Sequence, residues 1–260
     1  MGKVRVSAAG AGLRIIGIDC ATVAQKVGLA LCTVREDRPR LDRLLVGESW
    51  PAIDAQLAQW VSDETLLAVD APLGWPAPMA DALHRHRAGA ELPHATNTMF
   101  RRKTDDVVAA HLGKRPLDVG ADRIARTAHT ALSLLARLRE ATGNPIPLAW
   151  RPGSIDGPAA IEVYPAGTLA ARGLPSSGYK ARTGPSLGLR QQLAEAVQEQ
   201  LSVDDDAAKL MVQSDHALDA ALCTVAGLDF LAGDVLQPGD LDLAQREGWI
   251  WVPSQVRLAP

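Results

Sequence analysis

Residues 214–226 read SDHALDAALCTVA, and they set the expectation for the whole chain. Small and aliphatic residues, continued outward by Leu210, Met211 and Leu228, cover most of a helix's circumference, so this helix should run inside the protein. It nevertheless carries Asp215 and Asp219. Residues four apart stand one above the other on a helix, so the two carboxylates should share a face as an oxygen-rich claw. Ionised carboxylates in an apolar setting repel each other and lose hydration. They require a cation, basic side chains or backbone amides as compensation.

Outward from this helix, the N-terminal part reads as strands. Residues 14–21 (RIIGIDCA) form a β-branched run ending on an acid, and residues 27–34 (VGLALCTV) pair with it as a hairpin. Residues 41–48 give a third strand. Pro51 opens a helix whose Ile53, Leu57, Trp60 and Val61 share a face, with Ser49 or Trp50 at its cap. Residues 65–70 (TLLAVD) form a fourth strand that again ends on an acid. Asp19 and Asp70 are thus matched, and functional groups gather at the carboxyl ends of parallel strands.

From about 75 to 158 scattered prolines mark an insertion or cap after the fourth strand. It contains an amphipathic helix over 123–140 stopped by Gly143 and Pro145. Residues 159–164 return to strand pattern with Glu162 in the middle. Residues 176–188, rich in Gly, Pro and Ser and carrying Lys180 and Arg182, predict a mobile loop. A helix follows over 187–201, and the acids at 204–206 are read as opening the central helix. Residues 249–252 (WIWV) are a terminal strand or packing segment. The alternation of strands and helices predicts one α/β domain spanning 1–260 with a mixed sheet.

Composition removes several function classes. The 260 residues carry 27 basic and 30 acidic groups, a formal charge of -3, which argues against a wholesale basic coat for nucleic acid. A local excess exists between 84 and 115, with seven basic residues against three acids; it reads as either a solvated surface or a phosphate-facing patch. Three cysteines without CxxC spacing give neither a disulfide framework nor a thiolate zinc site, and suit a reducing cytoplasm. The N-terminal MGKVRVSAAGAG lacks an apolar core for a leader, and no membrane span is expected. HExxH, GxSxG and GxxxxGK[ST] are all missing, which disfavours zinc hydrolase, serine esterase and P-loop chemistry.

What remains is oxygen chemistry. Asp19, Asp70, Asp215 and Asp219 form a candidate set of four carboxylates, suited to Mg²⁺ or Mn²⁺. Two such ions about 3.5–4 Å apart can activate water and stabilise the leaving oxygen of a phosphodiester. Glu162 is either a fifth ligand or the partner of an arginine. Arg102, Lys103, Lys180 and Arg190 are candidate phosphate binders, although Asp105 would alternatively lock Arg102 into a structural clasp. His216 is expected to pack or to hydrogen-bond.

GIDCA at 17–21, LLAVDAPLGWP at 66–76, RKTD at 102–105, IEVYPA at 161–166, YK at 179–180 with Arg190, and DHALDAAL at 215–222 resemble, as an ordered set, the family called domain of unknown function 429. That family is regarded as predicted nucleases of the ribonuclease H-like fold. The resemblance implies a five-stranded sheet in order 3-2-1-4-5, with the first three strands antiparallel, the last two parallel to the first, and helices on both sides. The acidic pattern is also similar to the Holliday-junction resolvases of that superfamily, with Asp70 where resolvases carry Glu and the helix acids four rather than three apart. The expected function is therefore a metal-dependent nuclease. A binding protein for nucleic acid or a phospholigand that keeps the fold without turnover is the alternative, and an actin-like ATPase or sugar kinase a third. DNA or RNA as partner, and the oligomeric state, stay open.

Overall fold

In the computed structural model, residues 12–35, 38–120, 122–181 and 183–257 are described. The N-terminal segment read for a leader, and Arg182, lie outside them. The chain runs β1 (Arg14–Asp19), β2 (Gly28–Thr33), β3 (Arg40–Val46), α1 (Trp50–Trp60), β4 (Thr65–Asp70), α2 (Ala77–Leu83), α3 (Thr96–Phe100), α4 (Lys103–Leu112) and α5 (Asp122–Thr142). It continues with β5 (Ala159–Val163), α6 (Pro165–Ala171), α7 (Gly184–Gln200), α8 (Asp205–Gln213), α9 (Asp215–Ala232), α10 (Leu241–Glu247) and β6 (Ile250–Trp251).

The strands form one mixed sheet in the order β3-β2-β1-β4-β5-β6. β1, β2 and β3 are antiparallel neighbours, and β4 and β5 run parallel to β1. The expected 3-2-1-4-5 order holds, and the terminal WIWV segment adds β6 as a sixth strand parallel to β5. The expected insertion is α2 to α5, between β4 and β5.

The sheet is buried on both faces because β1 and β4 are apolar between their terminal residues. Ile15, Leu66, Ala68 and Ile161 face a core shared with α7, α8 and α9, while Ile16, Ile18, Leu67 and Val69 face α1 and α5. Successive side chains alternate between faces. That rule places Asp19 and Asp70 on the α9 side, in step with Gly17 and Ala68.

α9 lies very close to the sheet at two glycines. A Cβ on Gly17 would stand 2.1 Å from the Ala220 carbonyl oxygen, and one on Gly28 would stand 1.9 Å from that of His216. Only hydrogen at these positions lets the helix backbone rest on β1 and β2.

Two expectations for the central region are corrected. The acids at 204–206 open a separate helix, α8, with Asp204 as its cap; the chain breaks at Ser214, whose Oγ accepts from Ala217 N–H and starts α9. The 176–188 segment is also not a loose loop. Tyr179 is fully buried, and α7 already begins at Gly184.

Candidate metal centre

β1 and β4 are in register, so Asp19 and Asp70, the last residue of each, are direct neighbours on parallel strands. Asp219 comes down from α9 above them. Each of the three offers a carboxylate oxygen within 4.8 Å of the other two. This is the convergence expected of a hard-cation site, with oxygen donors from two rigid strands and a buried helix.

Each acid has a different environment. His216 Nδ1 donates to Asp19 Oδ2 at 2.8 Å. Tyr179 Oη donates to Asp219 Oδ1 at 2.8 Å, and Lys180 Nζ lies 2.5 Å from Asp219 Oδ2. Asp70 has no hydrogen bond or ion pair among the described residues. Burial pushes the Asp19 carboxyl up to about 6, opposed by the His216 hydrogen bond and reinforced by the charge of Asp219. Burial likewise raises Asp70 well above the usual carboxylate range, partly offset by Lys180 and reinforced by Asp19 and Asp219. Asp219 is raised by burial against the pull of Lys180 and Tyr179. Burial acts against the Lys180 charge, but the three acids outweigh it and keep the ammonium protonated. Three crowded carboxylates with one ammonium leave a site short of positive charge.

Asp215 does not join the cluster. As the first residue of α9 it lies one turn, about 6 Å of helix rise, before Asp219, and the shared face does not cancel that displacement. It lines a groove of about 600 Å³ together with Lys26, Lys180, Leu187, Arg190 and His216.

Glu162 is the partner of an arginine. Its register neighbour is Val69, not Asp70, and although it lines the same cleft as Asp19 and Asp70 its carboxylate is held elsewhere. There the Arg102 guanidinium donates to both its oxygens, at 2.8 and 2.7 Å, and Leu73 N–H adds a third bond at 2.9 Å. Asp105 takes the other side of Arg102 at 2.9 Å and accepts from its backbone N–H. RKTD is thus a buried clasp tying the insertion to β5, and Arg102, 1% exposed, lines the cleft over the acids with its guanidinium engaged by Glu162, Asp105 and the Glu247 carbonyl.

The remaining candidate phosphate binders separate. Lys103 is exposed and lines a different, smaller cavity beside Asp240 and Leu243. Its backbone N–H donates to Glu247 Oε2, while Ala77 N–H donates to Oε1, so the buried Glu247 joins α2 to α4. Arg190 is buried and donates to the carbonyls of Val212, Tyr179 and Ala181. It holds the loop, and Lys180 is what the loop presents. In the basic district, Arg101 pairs with Asp118 and Arg115 with Asp106.

Sequence reasoning quoted Tyr179 only as part of the YK motif, without a site role, and overlooked Glu247. A Tyr preceding the candidate lysine was the available signal for the first; Glu247 gave none, since its partners are backbone amides far away in sequence. The cleft over the acids, about 240 Å³, is lined by Arg102, Glu162, Tyr164 and Lys180 as well as Asp19 and Asp70. Among the described residues, no helix is long and apolar enough to cross a membrane.

No curated protein and no solved structure matches the chain. The sequence pattern of one family, described as "Protein of unknown function (DUF429)", matches residues 17–242. That span includes all three clustered acids and the Tyr179–Lys180 pair, and the chain belongs to the DUF429 family.

Proposed function

We propose that this protein is a metal-dependent phosphodiesterase with a ribonuclease H-like sheet, acting as a nuclease on DNA or RNA. The observation that carries this reading is the meeting of Asp19, Asp70 and Asp219 within 4.8 Å at the carboxyl ends of β1 and β4. Support also comes from the strand order, which is the order that the resemblance implies. When bound, Mg²⁺ or Mn²⁺ would supply electrostatic activation of a water and of the phosphoryl group.

The chain's own groups have distinct tasks in this reading. Asp19, Asp70 and Asp219 hold the ion. His216 fixes the rotamer of Asp19, and Tyr179 fixes that of Asp219. Lys180, on the open side of the site, meets the substrate's phosphate. The buried, unpaired Cys20, Cys32 and Cys223 support a reducing compartment such as the cytoplasm.

A second reading has one observation in its favour. Lys180 itself compensates Asp219, as in a protein that binds a nucleic acid or phospholigand and does not turn it over. The deciding experiment is a Mg²⁺ and Mn²⁺ titration against single-stranded and structured DNA and RNA. Cleavage that Asp19→Asn abolishes is expected; no cleavage of any substrate, or cleavage that survives Asp19→Asn, overturns the nuclease reading.

A further inference from the structure

We propose that the centre takes a single divalent ion, and that Lys180 is a built-in second cation placed to receive a phosphate oxygen of the substrate. The inference rests on the metal-dependent reading above and specifies how many ions that site accepts.

A two-ion centre spaces its ions about 3.5–4 Å apart and needs carboxylates on both sides of the pair. Here the two acids that could extend the set are unavailable. Asp215 lies a turn away on the groove wall, and both oxygens of Glu162, which lines the same cleft, are taken by Arg102. Of the six oxygens in the cluster, Asp19 Oδ2 faces His216, Asp219 Oδ1 faces Tyr179, and Asp219 Oδ2 faces the Lys180 ammonium at 2.5 Å. Asp19 Oδ1 and the two oxygens of Asp70 accept no hydrogen bond among the described residues. These three oxygens, with the lone pairs that Asp219 keeps beyond its Tyr179 and Lys180 contacts, suit one ion, its remaining positions going to water and substrate.

The lysine is held there by construction. Gly178 has φ +82, which turns the chain so that Tyr179 goes inward. Arg190, anchored on α7, then donates to the carbonyls immediately before and after Lys180, at 2.5 Å to Tyr179 and 3.1 Å to Ala181. Two backbone clamps around one residue fix where its side chain leaves the chain. The Lys180 side chain is 53% exposed although it touches an acid that is 1% exposed. It therefore meets the acids on one side and open solvent on the other. It also lines both the cleft over the acids and the 600 Å³ groove beside α9, so it stands where the two join. A cation in that position can meet a phosphate entering from either space.

The test counts ions directly. Free Mn²⁺ is measured by electron paramagnetic resonance during titration of the wild type, Lys180→Met and Lys180→Arg, and inorganic phosphate is then titrated into the Mn²⁺-loaded proteins. One ion per wild-type chain is expected. Lys180→Met should bind Mn²⁺ about tenfold more tightly, having lost a like charge beside the ion, and bind phosphate at least about tenfold more weakly. Lys180→Arg should restore phosphate binding. Two ions on the wild type, or a Lys180→Met protein unchanged in both affinities, overturns the inference and leaves the metal reading standing. No Mn²⁺ uptake by any of the three overturns both.

Discussion

The Arg102 guanidinium and the Glu162 carboxylate meet through two hydrogen bonds, 2.8 and 2.7 Å long, with each side chain 3% exposed or less. Removing one member leaves the other charged and buried without its partner. Such losses cost about 3–5 kcal/mol. Glu162→Gln and Arg102→Met are therefore expected to lower the urea midpoint sharply, while the folded fraction keeps wild-type Mn²⁺ affinity. Midpoints near wild type, or a selective loss of metal binding, would contradict the clasp.

Asp70 and Asp215 make a paired test of the centre. Asp70 contributes its oxygens to the cluster, and Asp215 lies on the groove wall. Asp70→Asn should weaken Mn²⁺ binding by about 100-fold or more, since even outer-sphere partners of metal ligands are worth about 10–100-fold. Asp215→Asn should change it by less than about threefold. Calorimetric titration of both variants checks the contrast, and equal effects would return Asp215 to the ligand set.

Metal binding should also depend on acidity. Asp19 titrates at about 6 against an ordinary value of 3.8, so an ion must displace its proton below that pH. Mn²⁺ affinity is expected to fall as pH is lowered from 7 to 5. In the metal-free protein the sign reverses. Between 3.8 and about 6 the folded state binds more protons than the unfolded state, so stability declines as pH rises through this window. His216, raised above its usual value by Asp19, works in the same direction: its contribution is complete below its unfolded value and is lost as pH rises through the folded one. Melting temperatures in a chelator at pH 4.5 and 7 test this, and added Mn²⁺ should raise the pH 7 value selectively.

The fit of α9 on the sheet gives a steric prediction. Gly28→Ala places a methyl group 1.9 Å from the His216 carbonyl oxygen, where backbone has to shift. Overpacking of this kind costs about 1–3 kcal/mol, sometimes more. The helix that moves carries Asp219, so Mn²⁺ affinity should fall along with stability. Gly184→Ala, whose added methyl meets open space, should leave both unchanged. Thermal melts and Mn²⁺ titration of the two variants check the difference.

Much of the architecture was legible because it follows from periodicity. Apolar runs ended by acids at 19 and 70 identified two buried strands, and an apolar course with embedded acids identified the buried helix that crosses them. Local chemistry also located Ser49, whose side chain accepts from Ala52 N–H at the start of α1. The same locality explains the misreading of α8 and α9 as one helix. Asp204 and Ser214 are both good caps, and the pattern of apolar residues continues across the break between them.

While the sheet order was what the family resemblance implied, the sequence alone thus marked the strands, their burial and the acids at their ends, since these depend on residues close together in the chain. It did not determine which acids meet. Arg102 takes both oxygens of Glu162, one helical turn separates Asp215 from Asp219, and Arg190 spends its charge on three carbonyls. Each outcome depends on the register or approach of segments distant in sequence. Only the tertiary structure brings a 2.5 Å lysine contact to Asp219, because a charged side chain's partner is chosen by which segments pack together and how far their backbones lie apart.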